Sequence, residues 1–134
     1  MSKFRAATAV VVLALVVVAA GQLPGPPQWP SEVQWAKNNA HRYGASVEYR
    51  LWDGTRVDYL TEGEAIEIDW AAPGKHFEAV GQALYYAAVT GKRPAIILLV
   101  KDVQADARFV YRTHVVCARA GIRLYVEQVQ PVRL

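Results

Sequence analysis

Asp58 and Glu67 stand on either side of Glu62-Gly63 in the stretch RVDYLTEGEAIEID, residues 56–69. The stretch reads as two short strands around that turn. A two-residue turn sets Asp58 opposite Glu67 and Arg56 opposite Asp69. Like charges directly opposed on paired strands repel. Glu67 and Asp69 also share a strand face, because side chains alternate with period two; Ile66, Ile68 and Trp70 form the apolar face behind them. The polar side thus gathers three carboxylates and one arginine. A solvent-facing edge, with Arg56 neutralising Asp69, would account for part of this. It leaves the Asp58–Glu67 apposition without a reason, and a divalent cation supplies one. Mg²⁺ favours one or two carboxylates, with water and phosphate oxygens completing its shell.

The helix expected at 75–90 adds to this chemistry. At about 100° per residue, Phe77, Val80, Gly81, Leu84, Ala87 and Ala88 fall on one side and read as the core stripe. Lys75, Ala79, Gln82 and Tyr86 fall in a narrow arc on the other. A cation, an amide and a phenol so aligned make either a solvated face or a row that contacts phosphate beside the metal.

The surrounding elements must hold these residues. Ser31 reads as an N-cap with Glu32 in the first turn of a helix running to about Tyr43 and stopped by Gly44. SVEYRLW (46–52) is β-rich, and Asp53-Gly54 after it is a hairpin signal. Strands near 46–52, 55–61 and 64–70 form a meander. Pro73-Gly74 breaks the chain before the 75–90 helix, which Gly91 closes. RPAIILLV (93–100) is a continuous apolar run, as in a strand buried on both faces. Residues 104–120 form a second helical stretch closed by Gly121, and IRLYVEQV (122–129) is a last strand. The order α-β-β-β-α-β-α-β predicts an α/β fold: a mixed sheet with helices on both sides.

Asp58, then Glu67-Ile68-Asp69 on the next strand, then a helix with Gln82-x-x-x-Tyr86, resembles the PD-(D/E)xK nuclease superfamily. The Gln-x-x-x-Tyr element is similar to its RecB-like branch. AIEIDWAAPGKHFEAVGQALYYAAVTGKRPAIILL (65–99) also resembles small bacterial and phage proteins of that type. The resemblance covers about residues 31–127 and implies a restriction-endonuclease-like αβββαβ core. It implies Asp58 and Glu67 as metal ligands, the Ile68 carbonyl as a third, and Glu32 and Asp69 as further acidic residues near the ion. Gln82 and Tyr86 would orient the nucleic-acid backbone. Mg²⁺ or Mn²⁺ would be the cofactor and DNA, rather than RNA, the substrate. The family's lysine stands two residues after the position of Glu67, where this chain has Asp69. Lys75 is the expected substitute, reaching the attacking water or the scissile phosphate. If it does not reach, the expectation becomes an inactive nuclease-like domain that binds nucleic acid or protein.

Bulk composition bounds these expectations. The chain has 134 residues, so one domain is expected. Lys3 and Arg5 precede an uncharged apolar run, Ala6 to Ala20, ending in Val18-Ala19-Ala20. That pattern predicts a signal peptide over 1–20 and an exported protein; an uncleaved membrane anchor is the alternative. A proline-rich linker is expected over 21–30 and the nuclease-like domain over 31–134. Without residues 1–20, thirteen Lys and Arg face twelve Asp and Glu, which is no signature of a polyanion partner. Cys117 is the only cysteine, so packing and not a disulfide must hold the domain. Other candidates read as structural: Cys117 as a buried helical residue rather than a nucleophile paired with His114, His76 as a surface residue, His41 as a helix-end residue. Trp29 and Trp35 read mainly as packing residues, with base stacking open to any aromatic near the metal. Gly91-Lys92-Arg93 reads as a soluble turn well placed for a backbone phosphate.

Overall fold

Ser31 opens the first helix, α1 (Glu32–Tyr43), with a reciprocal cap. Its hydroxyl accepts from the Gln34 N–H, and the Gln34 side chain accepts from the Ser31 N–H, satisfying donors that a helix start leaves free. This computed structural model describes residues 25–132. The expected signal peptide, and the first part of the proline-rich linker, lie outside the described residues.

After Gly44, whose φ of 61° suits a left-handed cap, come β1 (Ser46–Arg50), β2 (Arg56–Leu60) and β3 (Glu64–Trp70). Then follow α2 (Lys75–Thr90), β4 (Arg93–Val100), α3 (Ala107–Ala120) and β5 (Arg123–Gln128). The five strands form one sheet in the order β1-β2-β3-β4-β5. β1, β2 and β3 are antiparallel neighbours; β3, β4 and β5 are parallel. The chain is therefore α/β, with a mixed sheet flanked by helices, as the sequence predicts.

Both parallel connections progress in the same direction across the sheet. Crossovers of one hand then place α2 and α3 on the same face, where Ala79 and Ala83 of α2 and Phe109 and Cys117 of α3 share a core with Ile96, Leu98 and Val100 of β4. α1 covers the other face, with Trp35 and Ala36 against Tyr59, Ile66, Ile68, Ile97 and Leu99. The Tyr59 hydroxyl ties the layers by donating to the Ala36 carbonyl at 2.5 Å. Among the described residues, no helix is long and apolar enough to cross a membrane.

Three sequence expectations are corrected. The buried stripe of α2 is His76, Ala79, Ala83, Tyr86 and Ala87, while Phe77 and Leu84 are exposed. Alanine, not bulk, faces the sheet, which lets the helix approach closely. His76 is therefore a core residue, its Nδ1 2.9 Å from the Ala72 carbonyl. The first hairpin also differs, because β1 and β2 are joined through residues 51–55 and pair from Arg50↔Arg56. Asp53 Oδ1 accepts from both the N–H and the hydroxyl of Thr55, so the loop closes on a side chain as well as on backbone.

Candidate active site

The second hairpin closes as its turn residues dictate. Thr61 N–H donates to the Glu64 carbonyl at 2.9 Å, and Tyr59↔Ile66 and Leu60↔Ala65 pair next. That register carries Asp58 to the level of Glu67. There the ladder opens. The Ile68 N–H donates to Asp58 Oδ2 at 2.8 Å, so a side chain takes the place of a strand carbonyl and fixes the Asp58 carboxylate against β3.

β1 contributes to the same opening. Glu48 has φ 54°, the one positive φ at a non-glycine among the described residues, and costs on the order of 1 kcal/mol. Its neighbours pair as Val47↔Tyr59 and Tyr49↔Val57, which sets Glu48 level with Asp58. The side-chain alternation slips there: Val47 and Tyr59 pack under α1, whereas Val57 packs with Leu51, Ala65 and Tyr86 under α2. The result is a row of carboxylates, Glu48, Asp58 and Glu67, across three strands. Glu48 accepts from Arg56 at 3.1 Å. The expected Arg56–Asp69 pair is therefore replaced, since the slip turns Arg56 toward β1.

Asp69 finds its cation on α2 instead. Lys75 Nζ lies 3.5 Å from Asp69 Oδ1 and 3.6 Å from Glu32 Oε1. The chain break at Pro73-Gly74 starts α2 at Lys75 and brings it back over the end of β3. Glu32, Val33, Asp58, Glu67, Ile68, Asp69, Lys75, Glu78 and Gln82 line the resulting notch, a cavity of about 190 Å³. Glu67 and Asp69 are buried and Asp58 half-buried.

Electrostatics follow from burial and crowding. Burial is the main cause that raises the Glu67 carboxyl, with the charges of Asp58 and Asp69 adding to it. Burial also raises Asp58, with Glu48 and Glu32 adding, against the Ile68 N–H, which favours its ionised form. Asp69 is raised by burial and held back by Lys75. Lys75 is raised in turn by Asp69 and Glu32. Such a cluster must either keep protons or gather positive charge. Its donors are hard oxygens, which fit a Mg²⁺-like ion that retains water. Among the described residues, no three acidic, histidine or cysteine side chains form a ready-made metal cluster.

The notch brings together Asp58, Glu67, Ile68, Asp69, Lys75, Gln82 and Glu32 from the sequence reading. Tyr86 is placed otherwise: it is 7% exposed and packs with Leu51, Val57 and Ala65, beneath the notch rather than on its rim. Glu48 and Glu78 are additional acidic residues. Glu78 lies one helical turn from Lys75, a spacing visible in the sequence; Glu48 depended on the register of the first hairpin. Elsewhere, burial raises the Cys117 thiol to about 11, the opposite of an activated nucleophile, and His114 is exposed. Lys92 Nζ donates to the Glu62 carbonyl at 2.5 Å, and the Arg93 N–H donates to that of Gly63. The basic turn is thereby tied to the hairpin at the start of β3, away from the notch. Compared with protein-family models, curated proteins and solved structures, the chain gives no match.

Proposed function

We propose that this chain is a metal-dependent nuclease of PD-(D/E)xK type, hydrolysing phosphodiester bonds of DNA. The observation that carries the reading is the meeting of Asp58 and Glu67 on neighbouring strands, with Lys75 delivered to the same notch by the next helix. The order α1-β1-β2-β3-α2-β4 is that of the restriction-endonuclease-like core, and the reading includes that fold. Residues 1–20 would export the protein.

Asp58 and Glu67, with the Ile68 carbonyl, would hold Mg²⁺ or Mn²⁺. A bound ion of this kind polarises the phosphate and acidifies its water. Asp58 is aimed before any ion arrives, because the Ile68 N–H fixes one of its oxygens. Lys75 stands 3.5 Å from Asp69, the residue found where the family has its lysine, which supports a reading in which its ammonium would serve in that place from another element. With half its side chain exposed, it can present protons to a phosphate oxygen as negative charge develops there. Gln82 offers an amide to the adjoining backbone phosphate, and Tyr86 supports the hairpin from below.

A non-catalytic exported domain that binds nucleic acid or protein is the second reading. One observation favours it: Lys75 already satisfies two carboxylates. Calorimetric titration with Mg²⁺ and Mn²⁺, followed by nicking of supercoiled plasmid, separates the two. The nuclease reading expects metal binding and nicking by the wild type, both lost in Glu67→Gln. Metal binding without any nicking would leave the second reading standing.

A further inference from the structure

Beside the acidic notch lies a larger groove of opposite character. It has a volume of about 600 Å³ and sits beyond the carboxyl ends of β3 and β4, between Trp29, Trp70, Lys101 and the start of α3 at Arg108 and Phe109. Small-molecule sites run from about 300 to 1,000 Å³, and open α/β sheets bind ligands beyond the carboxyl ends of parallel strands. Two consecutive residues join the groove to the notch at each side: Asp69 and Trp70 on β3, Ser31 and Glu32 at the start of α1.

The groove's walls are aromatic and its charge is positive. Trp29 and Trp70 meet edge to face at 6.1 Å. Lys101 Nζ lies 5.3 Å from the Trp29 ring centre and 5.6 Å from that of Trp70. Arg108 lies over Phe109 at 4.7 Å. The one carboxylate on the wall, Asp106, is turned to the backbone, accepting from Lys101 N–H at 2.9 Å and Asp102 N–H at 3.3 Å. Its charge is held against the backbone, and Lys101 and Arg108 outnumber it on the wall. An anion would draw Lys101 off the indoles and bare their faces.

We propose that this groove is a subsite for one unpaired nucleotide next to the scissile phosphate, making the preferred substrate single-stranded DNA or a duplex with a single-stranded end. The assignment rests on the phosphodiester reading of the notch for the identity of its ligand. A paired base has both faces in its own stack, whereas an unpaired base can lie on an indole and place its phosphate against Lys101 and Arg108. The acidic notch has no such surface.

The test measures anisotropy of fluorescein-labelled oligo(dT), and of a duplex of equal length, with the full chain in EDTA so that nothing is cut. The single strand should bind more tightly than the duplex. Trp29→Ala should weaken its binding about tenfold, and Trp29→Phe should restore most of it. Lys101→Ala removes the ammonium that lies on the two indoles; it should reduce the salt dependence of binding by about one ion, with a thermal melt confirming that the fold persists. Equal affinity for the two probes, no binding of either, or unchanged binding by Trp29→Ala and Lys101→Ala would each overturn the subsite. Its failure is separate from that of the nuclease reading. Nicking that depends on Glu67, with no strand preference, removes only the subsite. Groove-dependent binding of oligo(dT), with no nicking, removes only the catalysis.

Discussion

The two faces of β3 present opposite solutions to burial. Toward α1 it sends Ile66 and Ile68, almost inaccessible and packed among Trp35, Tyr59, Ile97 and Leu99. Toward α2 it sends Ala65, Glu67 and Asp69, also buried, beneath a helix that answers with alanines. One face is held by contacts that are favourable by themselves. The other keeps like charges together and depends on Lys75, on protons or on a bound cation. Neighbouring residues of one strand therefore carry favourable packing on one side and crowded charge on the other, and substitutions should divide along that line.

The largest effect should come from the apolar face. Ile66→Ala should cost about 2–5 kcal/mol, the range for truncating a buried aliphatic side chain, read as a lower urea midpoint. A loss below about 1 kcal/mol would mean that the α1 layer is looser than its packing indicates. Lys75→Ala tests the opposite face: if the notch cleaves as proposed, the variant should cut about 100-fold more slowly, the scale of one lost charge-stabilising group, while calorimetry still finds metal bound. Loss of metal binding in that variant would assign Lys75 to holding the carboxylates in place rather than to the reaction.

Acidity should sharpen the contrast further. Folding raises Glu67 from 4.5 to about 9, and Asp58 and Asp69 from 3.8 to about 6. A carboxyl with a raised folded pKa binds its proton more tightly in the folded state. Its contribution is fully present below the unfolded pKa and is lost as pH climbs through the folded one. The metal-free protein should therefore lose stability from about pH 4 upward, most through pH 6 and further toward 9. Glu67→Gln should flatten the upper part of that profile and, at neutral pH, raise stability or leave it level. A profile that rises with pH would show the carboxylates to be stabilised by Arg56 and Lys75 rather than strained. The smallest effect belongs to Glu48→Gly, where relief of the left-handed backbone offsets the entropy that glycine adds to the unfolded chain. Its melting temperature should stay near that of the wild type, whereas Val47→Gly should melt lower.

Where local chemistry decides geometry, the sequence was legible. Ser31, Gly44, Gly91 and Gly121 mark helix ends, and the two-residue turn at Glu62-Gly63 sets the Asp58–Glu67 register. Tertiary choices were not. The amphipathic pattern of α2 points to Phe77 and Leu84 as its inner face, but close approach to β3 selects Ala79 and Ala83. Asp53-Gly54 invites a two-residue turn, which would set Asp58 against Tyr49. The longer connection sets it against Glu48 instead, and the notch gains a carboxylate that periodicity conceals. Lys75 could be named from its place after Pro73-Gly74; its two carboxylate partners required the helix to be docked.

The strand order β1-β2-β3-β4-β5 has a kinetic meaning. Every strand of the sheet pairs with the one made just before it, across a short loop or a single helix; the bridge of Gln28 to Val132 alone, among the described residues, waits for the end of the chain. Such local topology lowers the entropy of closing each contact and favours rapid folding. It also fixes a sequence of events. Glu48, Asp58 and Glu67 are assembled by the meander alone, before the chain supplies Lys75. A nascent sheet therefore meets its charge conflict early, and the docking of α2, which buries Glu67 and brings Lys75 only to Asp69 and Glu32, is the step that sharpens it. Mild acid or a divalent cation present at that stage should speed the collapse of the first three strands, acting on the folding reaction through the same groups that line the notch in the folded protein.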